Sequence, residues 1–378
     1  MTTHTAGNPG TQRDDALLAP PIIFNPGAQY HGPARRWQGI PGIEREAAGR
    51  LWATWYTGGD NEGPYNHVVL VTSDDDGESW SKPVLVIDPP GEVRAYDPVL
   101  WIDPTGTLWL FWAQSFQGYD GRAGVWAITT ATPHLPNPAW SAPRRIADGI
   151  MMNKPTATRA GRWLFPIAIW SNKGPGGSGP EADGTIRKPA VYVSDDHGQN
   201  ITRLGDTDLE KRTYDEHMII EKNDGTLWML LRTLYGIGES FSSDGGATWT
   251  FGKPSDIAGP CTRFFIRRLA SGRLLLVNHV RFDPDHTLAF GKRRNNLAAL
   301  LSDDDGKTWP HELMLDMRYT VSYPDGTEAR DGTIRIIYDR GRLAEKEILM
   351  ARFTEADILA GKLVTPGSKL GVVIDHAT

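Results

Sequence analysis

The chain has 378 residues, with 40 Lys and Arg against 46 Asp and Glu and a formal net charge of −6, a balance that argues against a nucleic-acid surface. Its one cysteine, Cys261, excludes an internal disulfide framework and a cysteine metal cluster. No apolar run approaches the roughly 18 residues of a membrane span. The N-terminus lacks a basic segment leading into an apolar one, so cytoplasmic residence is expected; a chain trimmed of a signal would read the same.

From the N-terminus, residues 1–20 are rich in Thr, Gly, Asp and Pro and read as a flexible leader, with residues 21–378 as one unit. The run Leu51-Trp52-Ala53-Thr54-Trp55-Tyr56 opens just after Gly49-Arg50 and reads as a strand, being rich in aromatic residues and bounded by turn formers. An S-x-D-x-G-x-x-W box follows at Ser73-Asp75-Gly77-Trp80. It returns at Ser194-Asp196-Gly198-Ile201, Ser242-Asp244-Gly246-Trp249 and Ser302-Asp304-Gly306-Trp309. The glycine turn also returns, at Gly106, Gly161, Gly225, Gly272 and Gly332, each followed by Arg or Thr and an apolar residue. The intervals of 57 (106 − 49), 55 (161 − 106), 64 (225 − 161), 47 (272 − 225) and 60 (332 − 272) residues each suit one four-stranded sheet. The second unit lacks a box, but Trp140-Ser141-Ala142-Pro143 copies the Trp80-Ser81-Lys82-Pro83 that follows the first. One supersecondary unit copied around an axis, with six turns, predicts an all-β, six-bladed β-propeller with Asp-box repeats.

The boxes read as structural hairpins, in which the aspartate accepts backbone N–H groups and the tryptophan packs between sheets. Trp52, Trp109, Trp163 and Trp228 read as core. The Gly- and Pro-rich stretch Ser171–Pro180 reads as a loop inside the third blade, and Thr354–Gly361 as a short capped helix closing the ring.

Asp boxes on a six-bladed propeller resemble the sialidase (neuraminidase) superfamily, and the resemblance spans residues 30 to 352. It implies a tyrosine nucleophile activated by a glutamate, an aspartate acid/base, and three arginines that hold a substrate carboxylate. Glu216 leads through Asp224-Gly225-Thr226-Leu227 to Arg232, sixteen residues on (232 − 216), as the family pattern requires. The nucleophile falls on Tyr323, eight residues before Asp331 of the Asp331-Gly332 turn (331 − 323). A phenol with a pKa near 10 is a poor nucleophile unless a carboxylate takes its proton. The acid/base resembles Asp60, in Gly58-Gly59-Asp60-Asn61-Glu62-Gly63-Pro64, with Glu62 as its competitor. A further carboxylate-binding arginine resembles Arg294, beside Arg293; an arginine's planar fork grips a carboxylate with two parallel hydrogen bonds.

The first family arginine is missing. Where an arginine is expected before Ile40-Pro41 the chain has Gly39, which opens the question of substrate. Arg35, Arg36 and Arg94 are candidates to reach in from elsewhere; otherwise the sugar differs from sialic acid in its carboxylate geometry. Asp97, Asn153, Lys154, His217, Arg263 and Arg340 lie near strand ends or turns and are expected to shape the pocket. His31, His67, His217 and His279 show no metal-ligand spacing, so neither metal nor cofactor is expected. The sequence therefore points to a retaining exo-glycosidase of the sialidase-like class, acting on a carbohydrate with a terminal acidic sugar and needing no nucleic acid or membrane. A uronate-directed lyase using His217, His67 and Tyr323 on the same scaffold is the alternative, followed by a non-catalytic sugar-binding propeller.

Overall fold

The computed structural model describes residues 14–118, 124–170, 186–282 and 294–377. Their strands form six antiparallel sheets, five of four strands and one of five. The first strand of each blade lines the central axis. Gln38–Arg45 of blade 1, for example, touches both Val93–Ile102 of blade 2 and Val321–Glu328 of blade 6. Blade 1 gains its fifth strand from Ile22–Phe24, which pairs outside Leu85–Ile87. Among the described residues no helix is long and apolar enough to cross a membrane.

The core lies between blades. Ile43, Leu51 and Val71 of blade 1 pack with Ile337, Ile348 and Met350 of blade 6, while Trp101 and Trp109 of blade 2 pack with Trp163 and Phe165 of blade 3. Trp52, Trp55, Trp112 and Trp163 are among the largest side chains fully removed from water, and each such ring contributes on the order of 2–3 kcal/mol of apolar burial.

All six turn glycines adopt positive φ, between 80° at Gly332 and 122° at Gly49, a region where a Cβ is costly. They share one end of the propeller with the Asp boxes, each of which joins the third and fourth strands of its blade. In the first box Ser73 Oγ donates to Asp75 Oδ1 at 2.8 Å and accepts the Gly77 N–H at 2.8 Å, while Asp75 also accepts the Ser79 N–H at 2.9 Å. Hydrogen bonds from Ser79 and Ser73 hold the Asp75 carboxyl down at about 2. The other three boxes repeat this pattern. These aspartates staple hairpins at the end opposite the cavity described below.

The leader is anchored before residue 20. Ala16 is buried against Val93 and Phe116, and Gln114 Nε2 donates to the carbonyls of Ala16 and Leu18. Residues 1–13 and Ser171–Pro180 lie outside the described residues. The closing helix is present over Glu355–Ala360, with a Thr354/Asp357 capping box and Gly361 left-handed at its end.

Candidate active site

Three first strands carry the same irregularity at the end away from the Asp boxes. The register shifts between Gly39 and Gly42, between Tyr96 and Val99, and between Ser322 and Asp325. Inside each bulge a positive-φ residue precedes a proline: Ile40 (φ 59°), Asp97 (φ 49°) and Tyr323 (φ 55°). Proline suits a bulge because it has no N–H to leave unpaired, and the bulge re-aims the side chain before it. Holding three non-glycine residues in this sparsely populated region costs of order 1–3 kcal/mol each, a strain that concentrates at functional sites.

These bulges open onto a cavity of about 460 Å³, lined by Ile40, Asp97, Glu216, Arg232 and Tyr323 among others. At its floor Tyr323 Oη donates to Glu216 Oε1 at 2.8 Å. Arg232 Nη1 donates to both groups, at 2.6 Å to the carboxylate and 2.8 Å to the phenol oxygen. All three are at most 5% exposed. Burial, opposed by Arg232 and reinforced by Glu216, pushes the Tyr323 phenol up to about 12, so the resting group is neutral. Burial alone would depress the Arg232 guanidinium, but Glu216, Tyr323 and Cys261 together more than reverse this. The Arg294 and Arg342 guanidinium carbons lie 5.1 and 4.2 Å from the Tyr323 ring centroid. Three cations thus converge on one phenol.

The opposite wall is acidic. Glu62 accepts the Tyr56 hydroxyl at 2.5 Å, and Asp97 lies near it, 1% exposed. Burial, with the charge of Glu62 next, holds the Asp97 carboxyl well above the usual range. Asp97 Oδ1 and Glu216 Oε2 are buried without a hydrogen-bond partner, the situation in which a ligand hydroxyl or water completes a site. Trp37, Met152, Trp170 and Tyr214 supply the apolar walls. Among the described residues no group of three or more His, Cys, Asp or Glu is arranged to hold a metal ion.

Of the residues expected from sequence, Glu216, Arg232, Arg294, Tyr323 and Asp97 come together in this cavity. Asp60 does not line it. Its carboxylate is 76% exposed and pairs at 3.0 Å with Arg36, itself 78% exposed. The loop is set by Asn66, which donates to the Gly58 and Asn61 carbonyls and accepts the Gly63 N–H, and it is Glu62 that faces the cavity. Arg94 is buried with its guanidinium over the Tyr96 ring. Asn153, Lys154 and Arg263 lie beneath the floor: Lys154 Nζ binds Glu44, Asp325 and the Ile43 and Leu100 carbonyls, and Arg263 donates to Asn153. His217 is buried with its ring nitrogens 2.9 and 2.7 Å from the Asp215 and Ala190 carbonyl oxygens. Arg340 pairs with Glu345 and Glu347 and supports the cavity wall from outside. Arg293 lies outside the described residues. Sequence reasoning did not single out Arg342.

Fold and site define an Asp-box propeller with an arginine-ringed tyrosine–glutamate pair. The chain matches the BNR repeat-like domain family over residues 49–336 and belongs to that family, within the sialidase superfamily. It is 24% identical over 339 residues to a sialidase of Bacteroides fragilis, a match covering 79% of this chain and 59% of that protein. The chain thus spans about three fifths of that relative's length. Among solved structures, a Hadza microbial sialidase superposes with a TM-score of 0.63 at 20% identity, covering 80% of this chain and 63% of that one. A Dyadobacter fermentans protein of unknown function gives 0.64 at 17% identity, with 85% and 94% coverage. The Ruminococcus gnavus intramolecular trans-sialidase, solved with oseltamivir carboxylate, gives 0.61 at 16% identity, with 92% and 99% coverage. These structural likenesses establish the shared propeller fold.

Proposed function

We propose that the protein is a retaining exo-glycosidase that removes a terminal acidic sugar through Tyr323. The supporting observation is the 2.8 Å hydrogen bond from Tyr323 Oη to Glu216 Oε1 on a cavity floor that also carries Arg232, Arg294 and Arg342. In the first step Tyr323 Oη forms a bond to the anomeric carbon as the bond to the leaving-group oxygen breaks. Glu216 takes the phenol proton, and a carboxylic acid on the facing wall protonates the departing oxygen. In the second step water attacks the glycosyl-tyrosine, the same wall carboxylate takes a proton from the water, and Glu216 returns one to the phenol. A neutral phenol approaches an anionic sugar without the repulsion a carboxylate nucleophile would meet.

The wall carboxylate in this reading is Glu62. The group must meet a departing aglycone and then an incoming water, and the Glu62 side chain is 36% exposed, whereas Asp97 is sealed from solvent. Burial, with Glu62 next, raises the Asp97 carboxyl, which favours its neutral form, a group able to donate a hydrogen bond to a ring substituent. The buried, carbonyl-tethered His217 gives no support to a lyase in which it acts as base.

The reading is tested by quenching the enzyme during turnover of a fluorinated acidic-sugar substrate whose glycosyl-enzyme breaks down slowly. Peptide mass spectrometry is expected to find the sugar on Tyr323, and NMR of early product from an ordinary substrate to find retained anomeric configuration. Inverted product, or an ultraviolet-absorbing unsaturated sugar, would overturn it.

A further inference from the structure

Gly39 stands where an arginine is expected, and its surroundings reveal what takes that place. Its backbone lies outside the left-handed region, so the main chain makes no demand for glycine. A Cβ at position 39 would nevertheless fall 2.8 Å from Cγ, Cδ and Nε of Arg342, closer than packed atoms tolerate. Glycine here makes room for the Arg342 side chain. Arg342 arises just after the second strand of blade 6, Ile334–Arg340, crosses the seam to blade 1, and brings its guanidinium carbon to 4.2 Å from the Tyr323 ring centroid.

The placement is fixed on both sides of the seam. Arg342 Nε donates to Asp339 Oδ2 at 2.9 Å, and the same oxygen accepts the Ile40 N–H at 2.7 Å. Arg342 Nη2 donates to Ser322 Oγ at 3.4 Å, and the Arg342 carbonyl accepts the Gln38 N–H at 3.3 Å. One carboxylate thus ties the arginine and the first strand of blade 1 to a common position. Burial alone would depress the guanidinium; Asp339 and then Tyr323 reverse this and keep it charged. The side chain lines the cavity, and among the described residues its five-donor guanidinium makes these two hydrogen bonds, which leaves N–H groups for a ligand oxygen.

Resting on the glycosidase reading above, we propose that Arg342 supplies from blade 6 the third guanidinium that grips the substrate carboxylate, in the space an arginine side chain at position 39 would occupy. The cationic clamp is then Arg232, Arg294 and Arg342, and Gly39 and Arg342 form a reciprocal pair in which only one position can carry the long side chain.

The test compares kcat/KM and inhibition constants for a sialoside and for its carboxamide counterpart in wild type, Arg342→Gln, Arg342→Lys, Gly39→Arg and the double variant Gly39→Arg/Arg342→Ala, with melting temperatures to confirm folding. Arg342→Gln is expected to lose about ten- to a hundredfold on the acidic ligand and little on the carboxamide. Arg342→Lys, which keeps the charge without the fork, is expected to fall between. Gly39→Arg alone should be impaired by crowding, and the double variant should recover part of the acid preference lost in Arg342→Gln. An unchanged acid-to-carboxamide ratio in a folded Arg342→Gln, or a double variant no better than it, would overturn the assignment. A wild-type protein without acid preference would instead overturn the functional reading beneath it.

Discussion

Glu216 Oε1 and Tyr323 Oη, 2.8 Å apart, belong to residues that occupy the same place in different blades, nine positions before the turn glycine (225 − 216; 332 − 323). The same offset selects Ile40 (49 − 9), Asp97 (106 − 9), Met152 (161 − 9) and Arg263 (272 − 9). Five of these six line the cavity, and Arg263 lies beneath it. In five of its six blades the propeller therefore presents the residue at this position to the cavity.

Tyr323→Phe is expected to cut turnover by roughly 10³-fold or more while the fold persists, and Glu216→Gln by about 10² to 10⁴-fold. Glutamine is the informative replacement, because a smaller residue would also remove the oxygen that accepts from Arg232 Nη1 at 2.6 Å. Steady-state rates on an aryl sialoside, with circular dichroism to verify folding, check both. Wild-type turnover by Tyr323→Phe would remove the phenol from the mechanism.

Proton transfer distinguishes the two carboxylates of the 58–66 loop. Glu62→Gln is expected to lower kcat by about 10² to 10⁴-fold on a natural glycoside, whose alkoxide leaves poorly, and far less on an activated aryl glycoside. Asp60→Asn, altering an exposed ion pair, should stay within about twofold. The reverse ranking would mean that the loop rearranges on binding and delivers Asp60.

Asp97 predicts a pH-dependent stability with a defined sign. Burial, then Glu62, raises its pKa in the folded protein, whereas the unfolded side chain titrates near about 3.9. Above that value the folded state holds a proton the unfolded chain has released. The stability of the neutral carboxyl is thus full below about pH 4 and lost as pH rises through the folded pKa. Asp97→Asn, neutral throughout, should gain on wild type by a margin in Tm that widens as the pH rises above about 4. A margin independent of pH would contradict this.

The Asp boxes carry the opposite sign. Hydrogen bonds from the Asn200 and Ser194 region hold Asp196 down at about 2, and Thr308 does the same for Asp304. Their contribution is present above about pH 4 and lost as pH falls through 2. Replacing both by Asn should lower Tm at neutral pH, flatten its acid limb, and leave kcat/KM unchanged; a variant with wild-type acid sensitivity would count against the stapling role.

Beneath the floor, Lys154→Met would strand the Glu44 and Asp325 carboxylates that Lys154 Nζ approaches at 2.8 and 3.1 Å. Breaking one side of a buried ionic cluster costs about 3–5 kcal/mol. Urea unfolding should register that loss, and a stability within error of wild type would show the cluster to be dispensable.

The fold was legible because a propeller repeats itself: the glycine turns must adopt positive φ and the boxes must close hairpins, so both constraints surface as spacing. Glu216, Arg232 and Tyr323 were located through the family resemblance, whose offsets count from those same turns along regular strands. The ranking of Glu62 over Asp60 was not legible, and Arg342 was missed altogether. The 58–66 loop takes its course from the side-chain bonds of Asn66, which no periodicity encodes, and a two-residue shift exchanges a solvent-facing carboxylate for one in the cavity. Arg342 is meaningful only beside Gly39, 303 residues away in sequence (342 − 39), and such a pairing exists only once the ring is closed. Lys154, Asn153 and Arg263 read as pocket residues because a strand end locates a side chain along the axis without giving its depth.

The seam between the first and last blades has a consequence for how activity arises. Asp325 and Asp339 of blade 6 accept the Ile43 and Ile40 N–H groups of blade 1; Tyr323 lies on the same strand as Asp325, while Glu216 comes from the start of blade 4. Tyr323 therefore takes its place beside Glu216 only when blade 6 has docked on blade 1. If the two act as proposed above, turnover reports on ring closure as well as on chemistry, and a variant that loosens this seam should lose activity before it loses its other five blades.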